Sequence, residues 1–410
     1  MLEIETQDRR QNVFFDKVEE GQPDAIFGLS AAFAADVRPQ KVDLLVGIYK
    51  DEHLRSELLP SVRRAKEQIM SQDILADYLP IDGDPEFLEG IKALVFGPEA
   101  LKEAHGRIYG AHTAGGTVAL RIGAEFLAQE VTKTIYIPTP TWPNHRSIFE
   151  RAGCKVDTYP YYSREKQNFD FDAMAEKLEK IPEKSAILLH ACCHNPTGCD
   201  PSLREWKEIS LLMRDKKLVP FFDFAYQGLG DGIEKDAAAV RMFLEDGHEM
   251  LIAYSCSKNF SLYCQRVGGL FVSCGTNSAK SRVGSQVKRI IRALYSNPPA
   301  HGSRIVREII KRDDLRALWE KDLQAVHHRI TLMRESFTQR LISHSKKVNF
   351  QHLRNHKGMF SYLGIDGLQA RKMIEQFAIY IQESGRINVA GLTFKNLDYV
   401  ADSLLKVCEA

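Results

Sequence analysis

Short apolar runs recur through the middle of the chain, with amphipathic stretches between them. The runs are Thr134–Pro138, Ala186–Ala191, Leu218–Phe224, Leu251–Ser255 and Gly268–Cys274. Each is about strand length, and several are apolar throughout, as strands are when helices cover both faces of their sheet. Between them, Asp200-Pro201 reads as a helix cap followed by a first-turn proline, after which Trp206, Ile209, Leu212 and Met213 fall on one face. Val118, Ile122 and Phe126 repeat at helical spacing just after Gly115-Gly116-Thr117. This alternation predicts an α/β domain with a mostly parallel central sheet covered by helices.

After about residue 325 the pattern changes. Long helical stretches, Leu315–Leu341 and Gln369–Glu383, flank shorter extended pieces at Lys347–Phe350 and Met359–Leu363. The expectation is a smaller α+β domain built from both termini. Residues 1–57 and 326–410 would form it, and 58–325 the large domain.

Composition narrows the function classes. The 410 residues exceed what one compact core usually organises, and 44% are hydrophobic. With 55 Lys and Arg against 54 Asp and Glu, charge offers no attraction to nucleic acid or an anionic membrane. No apolar run approaches the roughly 20 residues that span a bilayer. The polar, mixed-charge start lacks the marks of a secretory or mitochondrial leader, and eight cysteines are too sparse for a disulfide framework. A cytoplasmic protein is expected.

Three stretches carry the chemistry: Asp223-Phe224-Ala225-Tyr226, Ser255-Cys256-Ser257-Lys258 and Arg266-Val267-Gly268. Asp223 ends one apolar strand and Lys258 follows the next, at the carboxyl edge where open α/β sheets bind ligands. Singly, Lys258 fits a surface lysine and Asp223 a helix cap. Together they fit pyridoxal phosphate, which needs an amine for a Schiff base and a carboxylate to keep its pyridine nitrogen protonated. The phosphate needs donors and a fixed cation. Gly115, Gly116 and Thr117 open a helix, Ser255 and Ser257 flank the lysine, and Arg266 offers two parallel hydrogen bonds. Asn195, in the turn Asn195-Pro196-Thr197-Gly198, and Tyr226 are placed to donate to the cofactor's phenolate oxygen. Trp142 is either a ring-stacking partner or a core tryptophan.

These stretches, in this order and spacing, resemble the class I aminotransferases of the fold-type I pyridoxal phosphate enzymes, within the aspartate and aromatic aminotransferase group. The resemblance runs from about Asp24 to the C-terminus. It includes Tyr78-Leu79-Pro80-Ile81-Asp82-Gly83, Cys192-Cys193-His194-Asn195-Pro196-Thr197-Gly198, Ser257-Lys258-Asn259-Phe260, Tyr295-Ser296-Asn297-Pro298-Pro299 and Ser384-Gly385-Arg386-Ile387-Asn388. It implies that Lys258 carries the cofactor and shuttles the proton, and that Asp223 pairs with the pyridine nitrogen with His145 behind it. It implies that Gly116, Thr117, Ser255 and Arg266 hold the phosphate, with Tyr78 reaching the partner subunit's phosphate in a homodimer with shared active sites. Arg386 would clamp the substrate α-carboxylate, and Arg292, from the partner, the distal one. Gly47 would belong to a mobile segment closing over the substrate. Here Leu45 stands before Val46-Gly47, where the family often has a second glycine.

The implied reaction is ping-pong transamination between L-aspartate, with aromatic amino acids, and 2-oxoglutarate. An aromatic aminotransferase is the alternative, because relatives that accept phenylalanine keep Arg292 and swing it aside. A lyase or decarboxylase on the same cofactor, and a dimeric binding module on a dead scaffold, are weaker rivals. No metal is expected. His190, Cys192, Cys193 and His194 cluster like ligands, but as a strand they would alternate faces, and no second pair stands at zinc spacing.

Overall fold

The structure is a computed structural model, and it describes residues 14–15, 17–21, 25–70, 77–104 and 106–409. Residues 1–13 of the N-terminal segment and Asp24, where the family resemblance begins, lie outside the described residues. Seven strands form the central sheet: β1 (Ile108–Thr113), β2 (Thr134–Thr139), β3 (Lys155–Pro160), β4 (Ala186–His190), β5 (Val219–Phe224), β6 (Met250–Ser255) and β7 (Gly268–Ser273). Their order across the sheet is β1-β7-β6-β5-β4-β2-β3. Neighbours from β6 to β3 pair parallel, and β7 runs antiparallel to β1 and β6.

All five apolar runs are strands, each within a residue of its expected ends. Two strands escape the apolar pattern. β1 is interrupted by Gly110 and His112 although every residue in it is buried, and β3 lies at the sheet edge with much of its length exposed. Successive side chains of β5 and β6 point to opposite faces. Phe222, Phe224, Ile252 and Tyr254 enter one core, while Phe221, Leu251 and Ala253 enter another. Helix α1 (Gly116–Glu130) follows β1 directly and buries Ile122 and Phe126.

Helix α2 (Leu203–Asp215) begins later than Asp200-Pro201 suggested. Ser202 is its cap, in a reciprocal capping box with Glu205. Asp200 instead turns back, its carboxylate accepting the N–H groups of Cys193 (2.7 Å) and His194 (2.8 Å). Asp200 is therefore not the cap expected from the sequence: both residues are good caps, and here the Asp200 carboxylate is taken up by the bend after β4.

A third core joins the two ends of the chain. Val42–Asp43 pairs parallel with Ile379–Tyr380, and Phe360–Tyr362 pairs antiparallel with Arg386–Asn388. Val42, Leu44, Phe350, Ile379, Ile387 and Val400 pack together there. Between α3 (Asn277–Leu294) and the C-terminal helix runs the 32-residue α4 (Asp313–His344), which places Leu315, Trp319 and Leu323 in the first core and Met333, Phe337 and Leu341 in the third. The helix expected over Gln369–Glu383 stops at Phe377, because Ala378 turns left-handed (φ 51°) and leads into the short strand. Lys347–Phe350 forms no strand. Its start is held by the Glu409 carboxylate, which accepts the N–H groups of Lys346 and Lys347. Among the described residues, no helix is long and apolar enough to cross a membrane.

Ser202→Ala should lower stability by about 1 kcal/mol, the usual cost of a lost cap. Asp200→Ala should cost about 2–3 kcal/mol, because it leaves two inward N–H groups without their charged acceptor. Denaturant midpoints of the two variants check the order, and equal losses would contradict the assignment of Ser202 as the cap.

Candidate active site

The sheet register gathers the functional residues at one edge. Gly268 stands opposite both Thr113 and Ser255, and His190 stands opposite Asp223. The segments leaving β1, β2, β4, β5 and β6, and the segment entering β7, therefore meet there. They surround a cavity of about 370 Å³. Its walls include Gly47, Gly116, Thr117, Trp142, Asn195, Asp223, Tyr226, Ser255, Ser257, Lys258, Arg266 and Arg386.

Lys258 lies over the Tyr226 ring, its Nζ 5.0 Å from the ring centre. Burial lowers its pKa, Asp223 opposes that, and Arg266 adds to it, which favours the neutral amine. Asp223 is held differently. Burial alone would raise its pKa, but the hydrogen bond and charge of His145, with His190 and Lys258 beyond, bring it below the ordinary value. Its Oδ2 is 2.9 Å from His145 Nε2, and His145 Nδ1 is 2.8 Å from Thr141 Oγ1. Thr141 Oγ1 is in turn 3.1 Å from His190 Nε2, and burial pushes His190 down to about 3. This buried relay fixes the carboxylate and keeps it charged.

Around the start of α1, glycine is required twice. Gly115 has φ +88°, and a Cβ there would come within 2.5 Å of Arg266 Nη2. A Cβ on Gly116 would meet the Ser255 Cβ at 2.9 Å. Arg266 is itself in the left-handed region (φ 55°), with Nη1 donating to the Tyr263 carbonyl at 2.9 Å. Ser255 donates to Ser257 across 3.1 Å. Helix N–H groups, two hydroxyls and a guanidinium thus face one spot, an arrangement suited to a phosphate.

Arg386 is 1% exposed. Its Nη1 donates to Asn195 Oδ1 at 3.2 Å and its Nη2 to the Leu45 carbonyl at 2.5 Å, while Nε has no partner. The guanidinium lies 4.3 Å from the Phe360 ring centre, and burial lowers its pKa to about 10. Leu45, in the place of a glycine, buries its side chain with Ala378 and Tyr380 and so anchors the carbonyl that Arg386 uses. Gly47 is the residue that must stay small, since a Cβ would strike Phe360 at 2.6 Å.

Gly115 and His145 stand just behind the wall. Tyr78 and Arg292 do not join the cavity: Tyr78 is 90% exposed, and Arg292, near the end of α3, is exposed and donates to Ser296 Oγ. Sequence reasoning missed Phe360 and Tyr263, whose hydroxyl accepts the Tyr49 N–H at 2.9 Å. Tyr263 sits five residues after Lys258, a proximity that was a usable signal. Phe360 had none, because a buried aromatic in a short strand looks like core.

The His-Cys cluster does not alternate faces along a strand as expected. β4 ends at His190, and the chain beyond it bends, so that ligand atoms of Cys192, Cys193 and Asp236 come within 4.8 Å of one another. The Asp236 carboxylate already accepts the N–H groups of Gly228, Gly230 and Asp231. Burial pushes the Cys193 thiol up to about 11 and raises Cys192 well above its ordinary value, which disfavours thiolate ligands.

Residues 39–404 match the family model of aminotransferase class I and II. The aspartate aminotransferase of Pseudomonas aeruginosa is 41% identical over 96% of this chain and 99% of its own. That of Escherichia coli is 40% identical over 96% of this chain and 100% of its own. Among solved structures, the aromatic-amino-acid aminotransferase from Burkholderia pseudomallei, covalently bound to pyridoxal phosphate, superposes with a TM-score of 0.93 at 40% identity, covering 97% of this chain and all of the other. The aspartate aminotransferase from Saccharomyces cerevisiae cytoplasm gives 0.93 at 35% identity, over 97% and 98% of the two chains. A match this long, over a cavity where lysine, aspartate and a phosphate seat converge, means that this chain belongs to the class I and II aminotransferase family.

Proposed function

We propose that the chain is a pyridoxal-phosphate-dependent transaminase that exchanges amino groups between L-aspartate, with aromatic amino acids, and 2-oxoglutarate, yielding 2-oxo acid and L-glutamate in two half-reactions. The observation that carries this is the convergence of Lys258, Asp223 and the glycine-lined anion seat on one cavity, opposite the buried Arg386. The residues fit the cofactor: a Cβ on Gly115 or Gly116 would crowd Arg266 or Ser255 in the seat its phosphate needs, and Asp223 offers a charged oxygen deep in the cavity.

When bound, pyridoxal phosphate would supply an electron sink for the electron pair left at the substrate α-carbon. The protein's residues do the rest. Asp223, kept ionised by His145, holds the proton on the ring nitrogen. The Asn195 amide oxygen is engaged by Arg386, which leaves its nitrogen to donate to the phenolate oxygen. Tyr226 joins it as a donor, because burial and then the Asp223 charge raise its pKa and keep the phenol protonated. Lys258, whose burial shifts it toward the neutral amine, takes the substrate Cα proton on Nζ and returns it within the same pocket. Arg386 orients the α-carboxylate through two parallel hydrogen bonds. Trp142 lines the same cavity and would offer its indole face to the cofactor ring.

The exposure of Tyr78 and Arg292, away from their own chain's cavity, supports a two-fold homodimer in which each would serve the opposite site. Arg292 would then receive the distal carboxylate of aspartate. The aromatic reading draws on the Burkholderia aromatic-amino-acid aminotransferase, whose fold superposes on this chain with a TM-score of 0.93. We also propose a cytoplasmic location, and a division into residues 58–325 and a second unit of 1–57 with 326–410.

Lys258→Ala should abolish turnover, and borohydride should no longer fix cofactor covalently to the protein; surviving turnover would sink the assignment. Arg292→Ala should lower kcat/KM for aspartate on the order of 100-fold, a loss of ~3 kcal/mol for a charge-assisted pair, and leave phenylalanine nearly unchanged. A parallel fall for both substrates would remove Arg292 from specificity. Sedimentation at assay concentration should give a dimer, and an active monomer would contradict shared sites.

A further inference from the structure

A second cavity, of about 500 Å³, lies against the back of the loop that carries Asn195. The Lys357 N–H donates to the Gly198 carbonyl at 2.7 Å, and a Cβ on Gly358 would come within 2.5 Å of the Cys193 Cβ, so the cavity wall and the loop are in direct contact. Its walls include Thr331 and Arg334 from α4, and Arg354, His356 and Lys357 from the chain just after it.

Two buried groups here lack partners suited to them. Arg334 is 5% exposed, and its hydrogen bonds go only to the neutral Gly358 carbonyl and Ser361 hydroxyl. Among the described residues it enters no ion pair; the acids whose fields reach it are Cys193 and then Glu335, and Glu335, exposed on α4, also lines the cavity at its solvent side. A buried guanidinium without a counter-charge is costly, and burial lowers its pKa to about 10. His356 is 4% exposed, and neither ring nitrogen has a hydrogen-bond partner among the described residues. Such groups in a native interior call for a partner supplied from elsewhere. Lys357 adds no surplus charge, being paired with Asp231 at 2.5 Å, while Arg354 at the mouth bonds only the neutral Gln339.

We propose that this cavity binds a small oxyanion of the size and charge of inorganic phosphate, held by the Arg334 guanidinium and a ring N–H of His356, with Arg354 at the entrance. The site is separate from the cofactor's phosphate seat, and it would lie behind Asn195. A guanidinium with free donor capacity, an unsatisfied imidazole and room for the ion supply the required donors without altering the fold.

The test is calorimetric titration of inorganic phosphate into the cofactor-loaded enzyme, comparing the parent with Arg334→Met and Thr331→Glu. The second variant brings a carboxylate from the preceding turn of α4 toward Arg334. The expected result is one bound phosphate per chain that weakens at least about tenfold in both variants, with turnover of Thr331→Glu unchanged. If Arg334→Met does not fold, Thr331→Glu alone decides. The proposal is overturned if the parent binds no phosphate, or if Thr331→Glu binds it with the parent's affinity and stoichiometry.

Discussion

A carboxylate buried in a protein keeps its charge only when cations and hydrogen-bond donors surround it, and the site of this protein is arranged around Asp223 in that condition. Its oxygen meets His145, whose other nitrogen meets Thr141, and the second histidine, His190, completes the relay from the neighbouring strand. Removing water from this corner would raise the acid's pKa, and the histidine bond and charge reverse the sign. The same desolvation lowers Lys258. One dry pocket thus shifts the acid toward its charged form and the amine toward its neutral form, the two directions transamination needs.

The sheet explains why those groups meet. Parallel strands bring their carboxyl ends to a common edge, and the antiparallel β7 delivers Arg266 to that edge from the opposite direction. The short antiparallel strand pair supplies Arg386 and Phe360, whose ring packs into the first core, while α4 ties the third core to the sheet. Arg386 spans the seam: one nitrogen reaches Asn195 on the sheet side, another the Leu45 carbonyl near the chain start. Movement between the cores would therefore be felt at Arg386.

Leu45 shows how a departure from a family pattern is absorbed. Its side chain enters a small apolar cluster with Ala378 and Tyr380, and only its carbonyl serves the site. The steric demand falls on Gly47, where Phe360 leaves no room for a Cβ.

The order of chemistry along the chain was legible because it is local. Apolar runs mark β2, β4, β5, β6 and β7, since a strand covered on both faces must be apolar throughout, and Asp223, Lys258 and Arg266 are placed by their distance from those strand ends. Strands β1 and β3 were not legible: the first mixes glycine and histidine into a buried edge, and the second is half solvated. Nor could the pattern separate Ser202 from Asp200 as a cap, or find Phe360, or show that Cys192 and Cys193 approach Asp236. Those outcomes depend on which distant segments pack together. Periodicity records how a residue faces its own element, whereas burial, shifted pKa values and shared cavities are set by neighbours hundreds of residues away, and only the folded chain brings them into range.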